Sequence, residues 1–164
     1  LARLAGEMCE GFHAHPFNSP RYMNEVILPA LEEGLQKSGR KRSDIAVSMT
    51  PFIATSPEEE GFARMQIAFY ASTPSYKAVM DLYGWGEIAE TLSGFAAKGE
   101  WHEMPVLVTD EMLNEFCLMT TQENLAADLK KRFSSIADRI TLYTPFVPGE
   151  KDAWWQNLAK EFNS

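Results

Sequence analysis

Three short apolar runs of this chain end in the same way. Gly11 to His15 is followed by Pro16-Phe17, Ile45 to Thr50 by Pro51-Phe52, and Arg139 to Tyr143 by Thr144-Pro145-Phe146. Proline has no N–H to give to a strand ladder, so it belongs where a strand stops. A helical pattern follows each run, and this order predicts βα units of one parallel sheet or barrel. In such folds the site lies at the carboxyl ends of the strands, where the three turns converge.

Spacing adds a second constraint. The first run is about 35 residues from the second, one ordinary βα unit, whereas the second is about 95 from the third. The surplus, residues 54–109, carries helical patterns of its own and is expected to be a helical insertion, a lid on the carboxyl side of the second strand. Ser19-Pro20 and Ser56-Pro57-Glu58-Glu59 read as helix starts with a capping serine and proline in the first turn. Thr120-Thr121-Gln122-Glu123 reads as another capping box, and Val106 to Leu118 as helical from Thr109 or Asp110 onward. Pro29 is expected to kink the helix it interrupts. Arg40-Lys41-Arg42 reads as a solvated basic turn.

A net charge of −8 argues against a nucleic-acid partner or an anionic membrane surface. No apolar run approaches the roughly 20 residues that span a bilayer, and no basic-then-apolar leader opens the chain. Cys9 and Cys117 form no CxxC pair and read as reduced, buried thiols, so a cytoplasmic location is expected. The chain opens on Leu1 already in helical spacing. Three strands are also too few to close a barrel, which takes about eight. Residues 1–164 are therefore expected to be one partial domain of a longer polypeptide, or a half-sized relative that forms a homo-oligomer.

Alternation along the first run puts His13 and His15 on one face, with His15 at the strand end. They are the candidate acid–base residues. A His-x-His pair can also ligate zinc, but His102 or Asp110 would have to supply a third ligand without motif spacing, and no metal is expected. Tyr70, Tyr76, Trp85 and Trp101 make the insertion aromatic-rich and, with Phe17, are candidate substrate-binding walls; each also has a plain reading as core. Thr50, Phe52 and Tyr143, with Phe146, stand at the other strand ends as candidate cofactor-binding groups.

The stretches LAGEMCEGFHAHPFNSPRYMNEVILPAL, AVSMTPFIATS, ARMQIAFYASTPSYKAVMDLYGWGEIAETL and TTQENLAADLKKRF followed by DRITLYTPF resemble the luciferase-like monooxygenase family. Within it they resemble the branch of oxidoreductases that uses the deazaflavin coenzyme F-420. The likeness covers about the carboxyl half of a family member. It implies a (β/α)8 TIM barrel in which the three runs are strands six, seven and eight. It also implies hydride transfer between a small-molecule substrate and F-420, the cofactor ring supplying the chemistry and the protein orienting the partners. The alternatives are an FMN-dependent monooxygenase of the same family and a non-catalytic truncated relative acting as an oligomer.

Overall fold

The computed structural model describes residues 1–144 and 147–163. Pro145 and Phe146, on which the third strand end was expected, lie outside the described residues, as does Ser164. Helix α1 (Ala2–Met8) leads into β1 (Gly11–His13), then α2 (Pro20–Tyr22), a π-helical turn (Met23–Ile27) and α3 (Leu28–Ser38). Strands β2 (Ala46–Met49) and β3 (Phe52–Ala54) follow, then α4 (Pro57–Ala71), α5 (Lys77–Asp81), α6 (Gly86–Lys98) and α7 (Asp110–Phe116). The chain closes with β4 (Cys117–Met119), α8 (Leu125–Phe133), β5 (Arg139–Ile140) and α9 (Asp152–Asn163).

Local capping chemistry sets several helix starts. Ser19 Oγ accepts the Tyr22 N–H at 3.0 Å, Ser56 Oγ that of Glu59 at 3.3 Å, and Thr109 Oγ1 that of Met112 at 3.2 Å. The capping box expected from Thr120 is not formed as read. Thr121 Oγ1 accepts from Asn124 N (3.3 Å), Thr120 Oγ1 donates to Asp128 (2.5 Å), and α8 begins only at Leu125. Pro29 cannot donate to the carbonyl four residues back, and the wider π-helical turn just before it absorbs that missing bond.

All strand pairs are parallel, in a three-stranded sheet β1-β2-β5 and a two-stranded sheet β3-β4. Two expectations need correcting here. First, β2 does stop before Pro51, at Met49, but the extended chain continues beyond the proline as a further strand that was not expected. Pro51 loses its donor, but its carbonyl still accepts the Tyr143 N–H at 3.3 Å, and the chain runs on extended as β3. Second, Cys117–Met119 is a strand and not the end of a helix. It takes over the edge that β1 vacates: Ala14 N donates to Ser48 O (2.8 Å) below Pro51, and Thr120 N to Ala54 O (3.0 Å) above it.

The alternation of side chains continues through Pro51 and separates two cores. Val47, Met49, Ile53 and Leu118 join Leu31, Leu35, Leu129 and Phe133 beneath α1, α3, α8 and α9. Phe52, Ala54 and Cys117 point the other way and join Ile67, Met80, Leu92, Met112 and Phe116 beneath α4 to α7. His13, in register with Ser48, lies on this second face, below the part that the helices cover.

The basic turn is a staple. Arg40 donates to the carbonyls of Gly6 (2.9 Å), Cys9 (2.7 Å) and Asp44 (2.8 Å), and Arg42 pairs with Asp138 at 2.8 Å. Asp138 also accepts the Val47 N–H at 2.7 Å. Burial pushes its carboxyl up, but this hydrogen bond and Arg42 together outweigh burial and hold it below the usual range. Cys9 is exposed, contrary to expectation, because it stands at the open end of α1; Cys117 is buried. Among the described residues no helix is long and apolar enough to cross a membrane.

Candidate active site

The turn after β1 carries the candidate acid–base group. Pro16 ends the ladder, and the chain folds back with Asn18 N donating to Pro16 O at 2.8 Å and Phe17 N donating to His15 Nδ1 at 3.1 Å. Accepting that bond fixes the tautomer: Nδ1 is bare, and in the neutral ring Nε2 carries the proton. The imidazole stacks on Tyr76 (centroids 4.7 Å apart, 26° between planes) and meets Tyr70 edge-on (4.7 Å, 84°). Burial lowers its pKa and so favours the neutral ring, which offers its Nε2–H as a hydrogen-bond donor.

Two further side-chain hydrogen bonds link the elements that carry the other candidates. His13 Nε2 lies 2.8 Å from Thr50 Oγ1, joining the ends of β1 and β2. The Tyr70 and Tyr143 hydroxyls are 3.1 Å apart, and Tyr143 donates to Gln66 Oε1 at 3.4 Å. Tyr143 has thus spent its proton on Gln66, so Tyr70 donates to Tyr143. The hydrogen bond to Tyr143, and then burial, push the Tyr70 phenol up to about 12.

Phe17 and Phe52 are each only 1% exposed and serve as packed walls rather than open ones. Phe17 stacks on Phe116 at 4.5 Å and meets Tyr76 edge-on at 5.8 Å, while Phe52 meets Tyr143 edge-on at 5.0 Å. The other two aromatic candidates stand apart. Trp85 stacks on Tyr83 (4.5 Å, 11°) beyond Phe116, and Trp101 lies half exposed beside Phe69 at 6.0 Å. His102 sits on the surface beside Glu103 (3.3 Å), far in role from the His13–Thr50 pair.

Reading the chain missed Gln66, Tyr83 and Glu115. Tyr83 was legible only as one apolar position of a helix face. Its hydroxyl lies 2.5 Å from Ser19 Oγ and 2.9 Å from Glu115 Oε2, contacts across 64 and 32 residues that leave no local signature.

Tyr143 also borders open space. A cavity of about 340 Å³ lies between Tyr143, Thr55, Phe62, Trp154 and Trp155, and a second of about 270 Å³ between Phe62, Leu142, Tyr143 and Thr144. A larger one, about 690 Å³, follows β5 between α8 and α9. Its Asp138 is already committed to Arg42 and Val47. Planar aromatic walls, a fixed imidazole donor and the Thr50 and Tyr143 hydroxyls fit the ring of a planar heteroaromatic cofactor.

The profile of the family described as Luciferase-like monooxygenase matches residues 1–139. An uncharacterized protein of Mycobacterium tuberculosis is 38% identical over 146 residues, 85% of this chain and 43% of that protein. An F-420-dependent glucose-6-phosphate dehydrogenase of Microbacterium testaceum is 36% identical over 58 residues, 35% of this chain and 17% of that protein. In structure the chain superposes on the coenzyme F-420 dependent tetrahydromethanopterin reductase of Methanopyrus kandleri with a TM-score of 0.70 at 21% identity, covering 93% of this chain and 44% of that one. The α/β fold is therefore that of a known reductase, and the chain spans somewhat under half the length of the relatives it matches along most of its own length. With most of its residues matched by the family profile, this chain belongs to the luciferase-like monooxygenase family.

Proposed function

We propose that this chain is the carboxyl-terminal portion of an F-420-dependent oxidoreductase that transfers hydride between a small organic substrate and the deazaflavin ring. The observation that carries the reading is His15: a neutral imidazole at a strand's carboxyl end, held between two tyrosine rings with its proton fixed on Nε2. The F-420-dependent names borne by relatives support it. In this reading β1, β2 and β5 are strands six to eight of a TIM barrel, and residues 54–109 are a lid inserted above them. β1 and β5 are the outer strands of their sheet among the described residues, and a further part of the barrel or a second copy covers those edges.

Bound there, F-420 supplies hydride transfer at its ring. The chain's own residues do the rest. Thr50 and Tyr143 would meet the ring's edge, with the packed Phe52 supporting Tyr143 from behind. Tyr70 and Tyr76, with Phe17 behind them, would exclude water from the substrate, while Trp85 and Trp101 stand apart from it. His15 Nε2 would donate a hydrogen bond to the substrate, while His13 holds Thr50 in place.

Replacing His15 by alanine in the full-length enzyme is expected to lower kcat/KM about 10²-fold, the lower end of what removing one placed hydrogen-bond donor costs. Steady-state turnover with reduced F-420 measures it, and an unchanged rate removes His15 from the site. The second reading, an FMN-dependent monooxygenase, is favoured by the family's own description and places the same residues around a flavin ring.

A further inference from the structure

Residues 73–85, which join α4 to α6, grip the turn after β1 at both of its ends. At one end Tyr76 stacks on His15. At the other, the Tyr83 hydroxyl lies between Ser19 Oγ (2.5 Å) and Glu115 Oε2 (2.9 Å). Ser19 is fully buried, and its Oγ also accepts the Tyr22 N–H that starts α2.

The direction of the chain of protons follows from its ends. A carboxylate only accepts, so Tyr83 donates to Glu115; the phenol then has no proton left, and the Ser19 hydroxyl donates to Tyr83. This leaves a Ser19 lone pair for the Tyr22 N–H, and every group is satisfied. The turn between the two grips is short and internally bonded, through Phe17 N to His15 Nδ1 and Asn18 N to Pro16 O. A displacement at Ser19 is therefore carried to His15 instead of being absorbed. The rings repeat the connection, since Tyr83 meets Phe116 edge-on at 5.9 Å and Phe116 stacks on Phe17.

We propose that Tyr83 is a positioning residue, whose hydroxyl, fixed between Ser19 and Glu115, sets how the His15 ring lies against Tyr76. The importance of this for catalysis rests on the reading of His15 given above; the positioning itself does not. The groups that face the imidazole are Tyr70 and Tyr76, both phenols, and Tyr70 ionises only at about 12.

The test is the imidazole NMR signals and titration midpoint of His15 in Tyr83→Phe, with Tyr76→Leu as the reference for a lost stack and melting temperature recorded alongside. Tyr83→Phe is expected to move the His15 ring-proton shifts at least half as far as Tyr76→Leu does, and to raise the midpoint towards an ordinary imidazole value. Glu115→Ala is expected to shift them the same way, whereas Glu115→Gln, which keeps an acceptor for the phenol, leaves them in place. If Tyr83→Phe lowers only the melting temperature and the His15 signals stay put, Tyr83 is packing and the proposal is overturned. Whether His15 serves the reaction is read separately, from turnover of His15→Ala, so failure of one claim does not pass for failure of the other.

Discussion

Alanine at Gly34 is expected to lower the melting temperature by about 10 °C. Helix propensity alone gives the opposite sign, because alanine in a helix interior is favoured over glycine by about 1 kcal/mol. The surroundings decide. A Cβ on Gly34 would fall inside van der Waals contact of the Arg3 carbonyl, with Glu7 N at 3.0 Å, and a Cβ on Gly6 would meet the Leu31 carbonyl in the same way. α1 and α3 thus touch backbone to backbone through these two glycines, and the obstacle is a carbonyl group that cannot turn aside as a flexible side chain would. Overpacking against fixed backbone falls at the upper end of its usual range, about 3 kcal/mol, which at roughly 2–4 °C per kcal/mol for a domain of this size gives a shift of about 6–12 °C. Gly61, inside α4 with nothing within 4 Å of a Cβ, is the control. Its alanine variant should be neutral or gain up to about 1 kcal/mol. Thermal melts of both variants check the pair, and equal effects at the two sites would contradict the close crossing.

Phe17→Ala is expected to cost about 3–5 kcal/mol, the range for emptying a buried phenylalanine site. Phe17 holds together rings from three parts of the chain: Phe116 below it, and Tyr70 and Tyr76 from the helices above. At 1% exposure it has no free face, so a ligand could meet it only after the cluster opens. Phe17→Leu, which refills much of the volume, should recover more than half of the loss. Urea denaturation measures both. A loss below about 1 kcal/mol for the alanine variant would mean that the ring borders open space and is a ligand wall instead.

What could be read from the chain was what local chemistry writes into it. Ser19, Ser56 and Thr109 cap helices because a hydroxyl three residues before an N–H is a local arrangement, visible as serine or threonine ahead of an apolar pattern. His13 and His15 fall on one face because strand alternation is equally local. The failures share a different cause. Cys117–Met119 is extended because β3, more than 60 residues earlier, presents it with a ladder, and nothing in Cys-Leu-Met requires that state alone. The basic turn is solvent-facing as read, Arg42 being exposed, but the acceptors of Arg40 and Arg42 on α1 and at the start of β5 are brought close only by the fold. Pro51 closes β2 as its missing donor suggests, but β3 beyond it, and the carbonyl that still pairs with Tyr143, leave no mark in the sequence. The site divides along the same line: His15 is named by its place at a strand end, but Gln66, Tyr83 and Glu115 reach it only across the folded molecule.

The most direct test of the account is a fluorescence titration of the purified protein with F-420 and, separately, with FMN, following the cofactor signal and the oligomeric state together. The account predicts saturable binding that favours F-420 and weakens by at least tenfold in Tyr143→Ala, which removes the ring and hydroxyl proposed to hold the cofactor. Binding of FMN in preference to F-420, or F-420 affinity indifferent to Tyr143, would contradict it.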